Sequence, residues 1–283
     1  MDSDFKIRKM TEEEIVNVAV KWAEEEGWNP GLHDAHCFYN ADKNGYFIGM
    51  LGDEPIACIS AVAYGSNFGF LGFYIVKKEY RGKGYGIQIW NTAMNYLRGY
   101  NVGLDGVIEQ QPNYRKSGFK LAYKNIRYEG KSFRTNDLFT GITDLKNIPF
   151  NELIRYDSQL FQAERSAFLK CWLEMPESYS LAAVSDGKIC GYTVIRKCVN
   201  GYKTGPLFAD SKETALKLFI SINNKIPEGT PIYLDTPAIN TNATDIAEKF
   251  GMVQVFETAR MYTKTFPGID TSKIFGVTTF ELG

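Results

Sequence analysis

The chain has 283 residues, 44% of them hydrophobic and 23% charged, which suits a soluble globular protein of about two domains with a sizeable core. Its 32 basic and 33 acidic side chains leave a net charge of −1, so no global field favours nucleic acid or an anionic membrane surface. No apolar stretch is long enough for a membrane span, and the start MDSDFKIRKM lacks the apolar core of a signal peptide, so the expected location is cytoplasmic, a nuclear pool being compatible.

The five cysteines form no Cys-x-x-Cys pair, and their odd number argues against a full disulfide framework; they are expected to be reduced and mainly structural. The two histidines, His33 and His36, lie beside Asp34 and Cys37 at a spacing that matches no familiar zinc pattern. No metal is expected.

In chain order, a strand at 5–8 leads to Thr11 and Glu14, which have the spacing of a helix capping box. Ile15, Val18, Ala19 and Trp22 then line one helical face, and Gly27 stops it. Residues 28–38 read as a loop or short helical turn. Strands at 46–51 and 56–64 flank the turn Gly52-Asp53-Glu54-Pro55. Next come an apolar run, Phe68–Val76, the basic glycine loop Arg81-Gly82-Lys83-Gly84-Tyr85-Gly86, and an amphipathic segment carrying Ile87, Trp90, Ala93, Met94 and Leu97. A strand feeding a helix through glycines offers unpaired N–H groups and the positive end of the helix dipole, a place for phosphate. Two familiar phosphate motifs are excluded: no Ser or Thr follows Lys83, as a P-loop requires, and Ile87 stands where a dinucleotide fingerprint needs its last glycine. A strand at 102–106, a short helix within 107–117 and a strand at 120–128 follow.

From about residue 144 the order begins again: a helix at 156–172, strands at 179–184 and 189–198, a helix carrying Ala215, Leu218, Phe219 and Ile222, a strand at 231–235, a helix at 243–250, and a final strand or bent pair at 253–263. Tyr46 matches Tyr179 and Gly118 matches Gly251, both 133 residues on, which reads as a tandem duplication. The second copy lacks the glycine loop. Asp210 and Glu213 stand at the equivalent helix start, where they would repel a diphosphate, so this half is expected to cover the first, extend its sheet or shape its acceptor pocket. The tail 266–283 is expected to add a strand across the join.

The run Val76-x-x-x-x-Arg81-x-x-Gly84-x-Gly86, with its flanking strand and helix, resembles the pyrophosphate loop of the GNAT superfamily of acyl-CoA-dependent N-acetyltransferases. Tyr114-Arg115-Lys116-Ser117-Gly118-Phe119 is similar to the superfamily's Tyr-x-x-x-Gly-Phe element, although Val107 stands where the family often has Asn. The resemblance implies an α/β (α+β) fold of two tandem GNAT-like domains, residues 1–142 and 143–283, each a mixed, mostly antiparallel sheet flanked by helices. It implies acetyl-CoA held by Tyr74, Ile75 and Val76 through backbone atoms and by Arg81, Gly82, Lys83, Gly84, Tyr85 and Gly86. It also implies acetyl transfer by direct attack of a small-molecule or peptide amine. Tyr114 is the expected general acid, because a phenol of pKa about 10 can protonate a departing thiolate of pKa about 8.5. Asp105 and Glu109, with Asp34 as a third choice, are candidate bases, and Trp28, Asn29 and Asp34 are candidate acceptor contacts. Alternatives are an amino-acid N-acyltransferase using a longer or aromatic acyl-CoA, and an acyl-CoA sensor without turnover.

Overall fold

The computed structural model describes residues 4–283. Strand β1 (Phe5–Lys9) precedes a helical run, α1 (12–25), whose middle part is π-wound. Its start carries the expected capping box: Thr11 Oγ1 accepts from the Glu14 N–H, and the Glu14 carboxylate accepts from the Thr11 N–H at 2.9 Å. Helix α2 (Asp34–Ala41) occupies the segment expected to be a loop or single turn. Strands β2 (Tyr46–Leu51), β3 (Glu54–Tyr64) and β4 (Phe68–Val76) form a meander. Helix α3 (Tyr85–Tyr96), strand β5 (Asn101–Val107), helix α4 (Gln111–Lys116) and strand β6 (Lys120–Lys131) complete the first half.

The second half opens with β7 (Ile142–Asp144), α5 (Phe150–Phe161) and α6 (Ser166–Glu174). The single helix expected over 156–172 is therefore two. The chain turns at Gln162, whose φ of 70° ends α5, and the buried Arg165 clamps back on Asp157 with bonds of 2.9 and 2.7 Å. Strands β8 (Ser178–Ser185), β9 (Lys188–Lys197) and β10 (Tyr202–Ala209), helix α7 (Lys212–Asn223), strand β11 (Pro231–Pro237), helix α8 (Thr241–Lys249) and strands β12 (Val253–Tyr262) and β13 (Ile274–Gly276) follow.

All thirteen described strands join one sheet, ordered β1-β2-β3-β4-β5-β12-β6-β11-β10-β9-β8-β7, with β13 attached to β10. The pairs β4–β5 and β10–β11 are parallel and the rest antiparallel. The centre of the sheet holds an exchange. β12 from the second half lies against β5, and β6 from the first half lies against β11. The last long strands of the two halves have thus changed places. Each exchanged strand carries a buried arginine gripped at both ends by a carboxylate of the receiving half: Arg260 on Asp105 at 2.8 and 2.6 Å, and Arg127 on Asp235 at 2.7 Å twice. A third buried pair, Arg196 with Asp34, ties β9 to α2. The largest apolar cluster runs between the halves, from Phe38 and Phe73 through Trp172 and Tyr192 to Phe280.

One expectation about side chains changes. Cys37 and Cys171 are disulfide-bonded, linking α2 to α6 across the two halves, while Cys58, Cys190 and Cys198 are free. Their 134-residue separation left no local signal for the pairing. His33 faces Glu177, and His36 faces Glu12. Among the described residues no helix is long and apolar enough to cross a membrane.

Candidate active site

Strands β4 and β5 pair only from Phe68–Asn101 to Leu71–Leu104; beyond this point β4 continues to Val76 without a partner on that side, because β5 turns to β12. The parting begins at a bulge. Cys58 pairs with Ile75 and Ser60 with Gly72, so Phe73 and Tyr74 together oppose Ile59, and Phe73 takes the left-handed φ of 48°. The resulting V opens a cleft of about 550 Å³. Its walls include Gly72–Val76 of β4, Arg81, Gly82, Gly84 and Gly86 of the glycine loop, Trp90 of α3, Asp105–Val107 of β5 and Tyr114 of α4.

The glycine loop stands at the outer end. Gly82 and Gly84 have φ of 76° and 87°, conformations that a side chain would resist, and Gly84 caps α3 without any side-chain bond. Among the described residues, nothing accepts from the N–H groups of Gly82, Lys83 or Gly84. A Cβ on Gly86 would lie 2.7 Å from Tyr74 Oη, so glycine lets the helix start close on β4 without displacing that side chain. Arg81 is pinned, donating from Nε to the Val76 carbonyl at 2.7 Å and from Nη2 to Glu26 Oε1 at 2.7 Å. The side chains of Lys83 and Tyr85 do not line the cleft: the Lys83 ammonium sits over the Tyr80 ring, and Tyr85 is buried against Phe5 and Tyr80. They contribute backbone only.

At the inner end Tyr114 lies on Trp90, ring centroids 5.7 Å apart. It also presses on Gly106 so closely that a Cβ there would be 2.1 Å from the ring. Burial pushes its phenol above the ordinary value, helped by nearby Tyr74. The hydroxyl has no protein partner among the described residues.

The other expected residues part company. Trp28 lines the cleft, and its carbonyl accepts from Arg127 Nη1 at 2.7 Å. Asn29 does not; its side chain exchanges two hydrogen bonds with the backbone of Asn200, at 3.0 and 2.8 Å, and so docks the second half. Asp34 is 1% exposed, bound by Arg196 and by the Gly31 N–H, and is a structural anchor rather than an acceptor contact or base. Glu109 is exposed and outside the cleft. Asp105 does line it, but Arg260 holds both its oxygens and Asn125 donates a further bond at 2.8 Å, so three of its roughly four acceptor positions are already taken. Burial pushes the Asp105 carboxyl up, against these donors.

Lining residues that lie beyond the expected elements, and were not expected at the site, include Arg127 from β6, Phe256 and Thr258 from β12, and Phe280 and Glu281 from the tail. All except Arg127 belong to the second half. One of them carried a faint signal: Arg127 stands 133 residues before Arg260, each a lone arginine in a sheet-centre strand that needs a carboxylate partner. Thr258 Oγ1 is buried without a bond, a polar atom free for a ligand or water.

A V between parallel strands, a glycine loop with unused amides at a helix start and a buried phenol are the parts of an acyl-CoA transferase site. Comparisons agree. The description "Acetyltransferase (GNAT) family" matches residues 13–119, and "Acetyltransferase (GNAT) domain" matches 153–276. The chain is 32% identical to holothin acyltransferase from a Pseudoalteromonas strain over 274 residues, 97% of this chain and 92% of that one. It is 24% identical to the uncharacterized N-acetyltransferase YitH of Bacillus subtilis, over 85% of this chain and 86% of that one. The chain belongs to the GNAT family, as two such domains in tandem, and is an acyltransferase whose donor class is acyl-CoA. Among solved structures, an acetyltransferase-like protein of Pyrococcus horikoshii superposes over 99% of this chain and 96% of its own with a TM-score of 0.84 at 20% identity, sharing the fold. A tandem GNAT protein from the clavulanic acid biosynthesis pathway does so over 93% and 99%, with a TM-score of 0.63 at 11% identity.

Proposed function

We propose that the protein transfers an acetyl group from acetyl-CoA to a primary amine of a small molecule or peptide by direct attack, in a unit spanning 1–142 completed by residues of 143–283. The observation that carries the reading is the meeting, in one cleft, of free loop amides with the unpaired edge of β4. The amides of Gly82–Gly86 and the α3 dipole would take the diphosphate, aided by Arg81 once it exchanges Glu26 for the ligand. Backbone groups of Tyr74, Ile75 and Val76 would take the pantetheine amides and the thioester carbonyl, as donors placed where charge develops. The Val76 carbonyl already holds Arg81, so it is available only if that contact yields.

Tyr114 is the proposed acid for the leaving thiolate. Because burial raises its pKa, the hydroxyl stays protonated to higher pH than a free phenol, and turnover should not fall through its ionisation near pH 10. Tyr114→Phe should keep acetyl-CoA affinity and lower kcat by about 10²-fold, read by thiol release across pH 7–10 with a panel of amines. Unaltered turnover over that range would remove Tyr114 from the role.

A second reading, transfer of a bulkier acyl group, is favoured by the aromatic walls Trp28, Phe73, Phe256 and Phe280. The relative's designation as an acyltransferase rather than an acetyltransferase points the same way. Relative kcat/KM for acetyl-CoA and benzoyl-CoA separates the two.

A further inference from the structure

Acyl transfer to a protonated amine requires a group that takes a proton from nitrogen before attack. Among the described residues three carboxylates line the cleft. Glu26 stands beside Arg81 at the outer, diphosphate end of the cleft, and Asp105 is engaged by Arg260 and Asn125. The third is Glu281, only 4% exposed, whose carboxylate has no hydrogen bond or ion pair among the described residues. Glu281 lines the cleft, and its carboxylate oxygens are not sealed inside the protein. The other fully buried acids, Asp34, Asp157 and Asp235, each hold an arginine. An acidic group buried without a partner is costly unless something else completes it.

The tail places this group with care. Strand β13 is fixed to β10, and the Val277 N–H donates to the Asp235 carbonyl at 2.8 Å. Thr279 Oγ1 then accepts from the N–H groups of Glu281 and Leu282, and Tyr64 Oη donates to the Leu282 carbonyl at 3.2 Å. The Glu281 carbonyl lies against Gly72, where a Cβ would meet it at 2.1 Å, next to the bulge at which β4 leaves β5. Arg127, Arg196 and Lys203 face Glu281 beyond ion-pair distance, with Asp235 and Asp34 balancing the two arginines.

We propose that Glu281, delivered by the second half into the cleft of the first, is the proton acceptor for the amine, which rests on the acyl-transfer reading above. The ammonium gives one proton to a Glu281 oxygen and becomes a neutral nucleophile. Its lone pair forms the C–N bond, the C–S bond breaks with its electron pair on sulfur, and the thiolate takes a proton as the nitrogen loses its second. Glu281 then returns its proton to water, so one proton is released per acyl group transferred. The aromatic walls around it fit an arylalkyl amine.

The test uses the full chain with acetyl-CoA and two probes, phenethylamine, protonated at pH 7, and phenylacetic hydrazide, whose nitrogen is already neutral there. Glu281→Gln should bind acetyl-CoA within about twofold of the parent and lose about 10²–10³-fold in kcat with the amine, yet less than about tenfold with the hydrazide. Glu281→Asp should recover part of the loss. An unchanged kcat in Glu281→Gln, or equal losses with both probes that Asp does not relieve, overturns the proposal while leaving acyl transfer intact. Failure of the parent chain to bind either acetyl-CoA or benzoyl-CoA overturns the acyl-transfer reading and this proposal with it.

Discussion

The two halves repeat one fold and differ where a cofactor would sit. In the first, α3 starts at Gly84 with no side-chain cap and the amides of Gly82, Lys83 and Gly84 unused. In the second, Ser211 caps α7 by accepting from the Thr214 N–H at 3.1 Å, the Asp210 N–H donates to the Cys190 carbonyl, and Asp210 binds Lys273 at 3.0 Å. The V is treated differently as well. Beyond Leu71–Leu104 the gap between β4 and β5 is open, whereas beyond Thr204–Leu234 the gap between β10 and β11 receives β13, which pairs with Leu207 and Phe208. In the second half the gap is a socket for the chain's own tail, and the tail's end reaches the open cleft of the first. Gly72 and Gly205, 133 residues apart, both admit tail backbone, Glu281 at the first and Thr278 at the second.

That comparison can be broken most forcefully at the strand exchange. If the two crossings are equivalent, Arg127→Ala and Arg260→Ala should each cost about 3–5 kcal/mol by stranding Asp235 or Asp105, measured by denaturant unfolding. A large effect at one and none at the other would show that the exchange is held from one side only. Acid should act through the same contact. Burial pushes the Asp235 carboxyl up, but Arg127, Lys203 and Arg196 outweigh it and hold it below its ordinary value. The pair's stabilisation is therefore present above the unfolded carboxyl pKa of about 3.9 and is lost as pH falls through the lower folded value.

The glycines allow a finer cut. Gly72→Ala and Gly205→Ala each force the tail away and should destabilise by about 1–3 kcal/mol, the usual range for overpacking. Only Gly72→Ala should also lower kcat, because only it moves the tail at the open cleft; thermal unfolding beside thiol release tells them apart. Smallest of all, Ser211→Ala should cost about 1 kcal/mol through loss of the cap and leave coenzyme binding unchanged.

The sequence exposes what depends on local spacing. The capping box at Thr11, the run Phe68–Val76, the glycine loop and the repeat offset are all periodic or contiguous, and the GNAT resemblance followed from them. No strand was expected over 202–209, where Gly205-Pro206 interrupts β10; the sheet absorbs it with a shift of register between Thr204 and Leu207. Asp34, Asn29 and Asp105 were candidates for chemistry because an acid or amide near a cleft looks functional. Their arginine and backbone partners lie 155 to 171 residues away, where spacing carries no information. Arg127, Phe280 and Glu281 escaped for the same reason, reaching the cleft only through strand exchange and the path of the tail.

Calorimetric titration of the intact chain with coenzyme A tests the open-versus-filled contrast most directly. The expected result is one equivalent bound per chain, weakened about 10²-fold by Arg81→Glu, where a reversed charge meets the diphosphate, and unaffected by Lys212→Glu at the second helix start. Two equivalents, or an affinity that responds to Lys212 and ignores Arg81, would contradict the account.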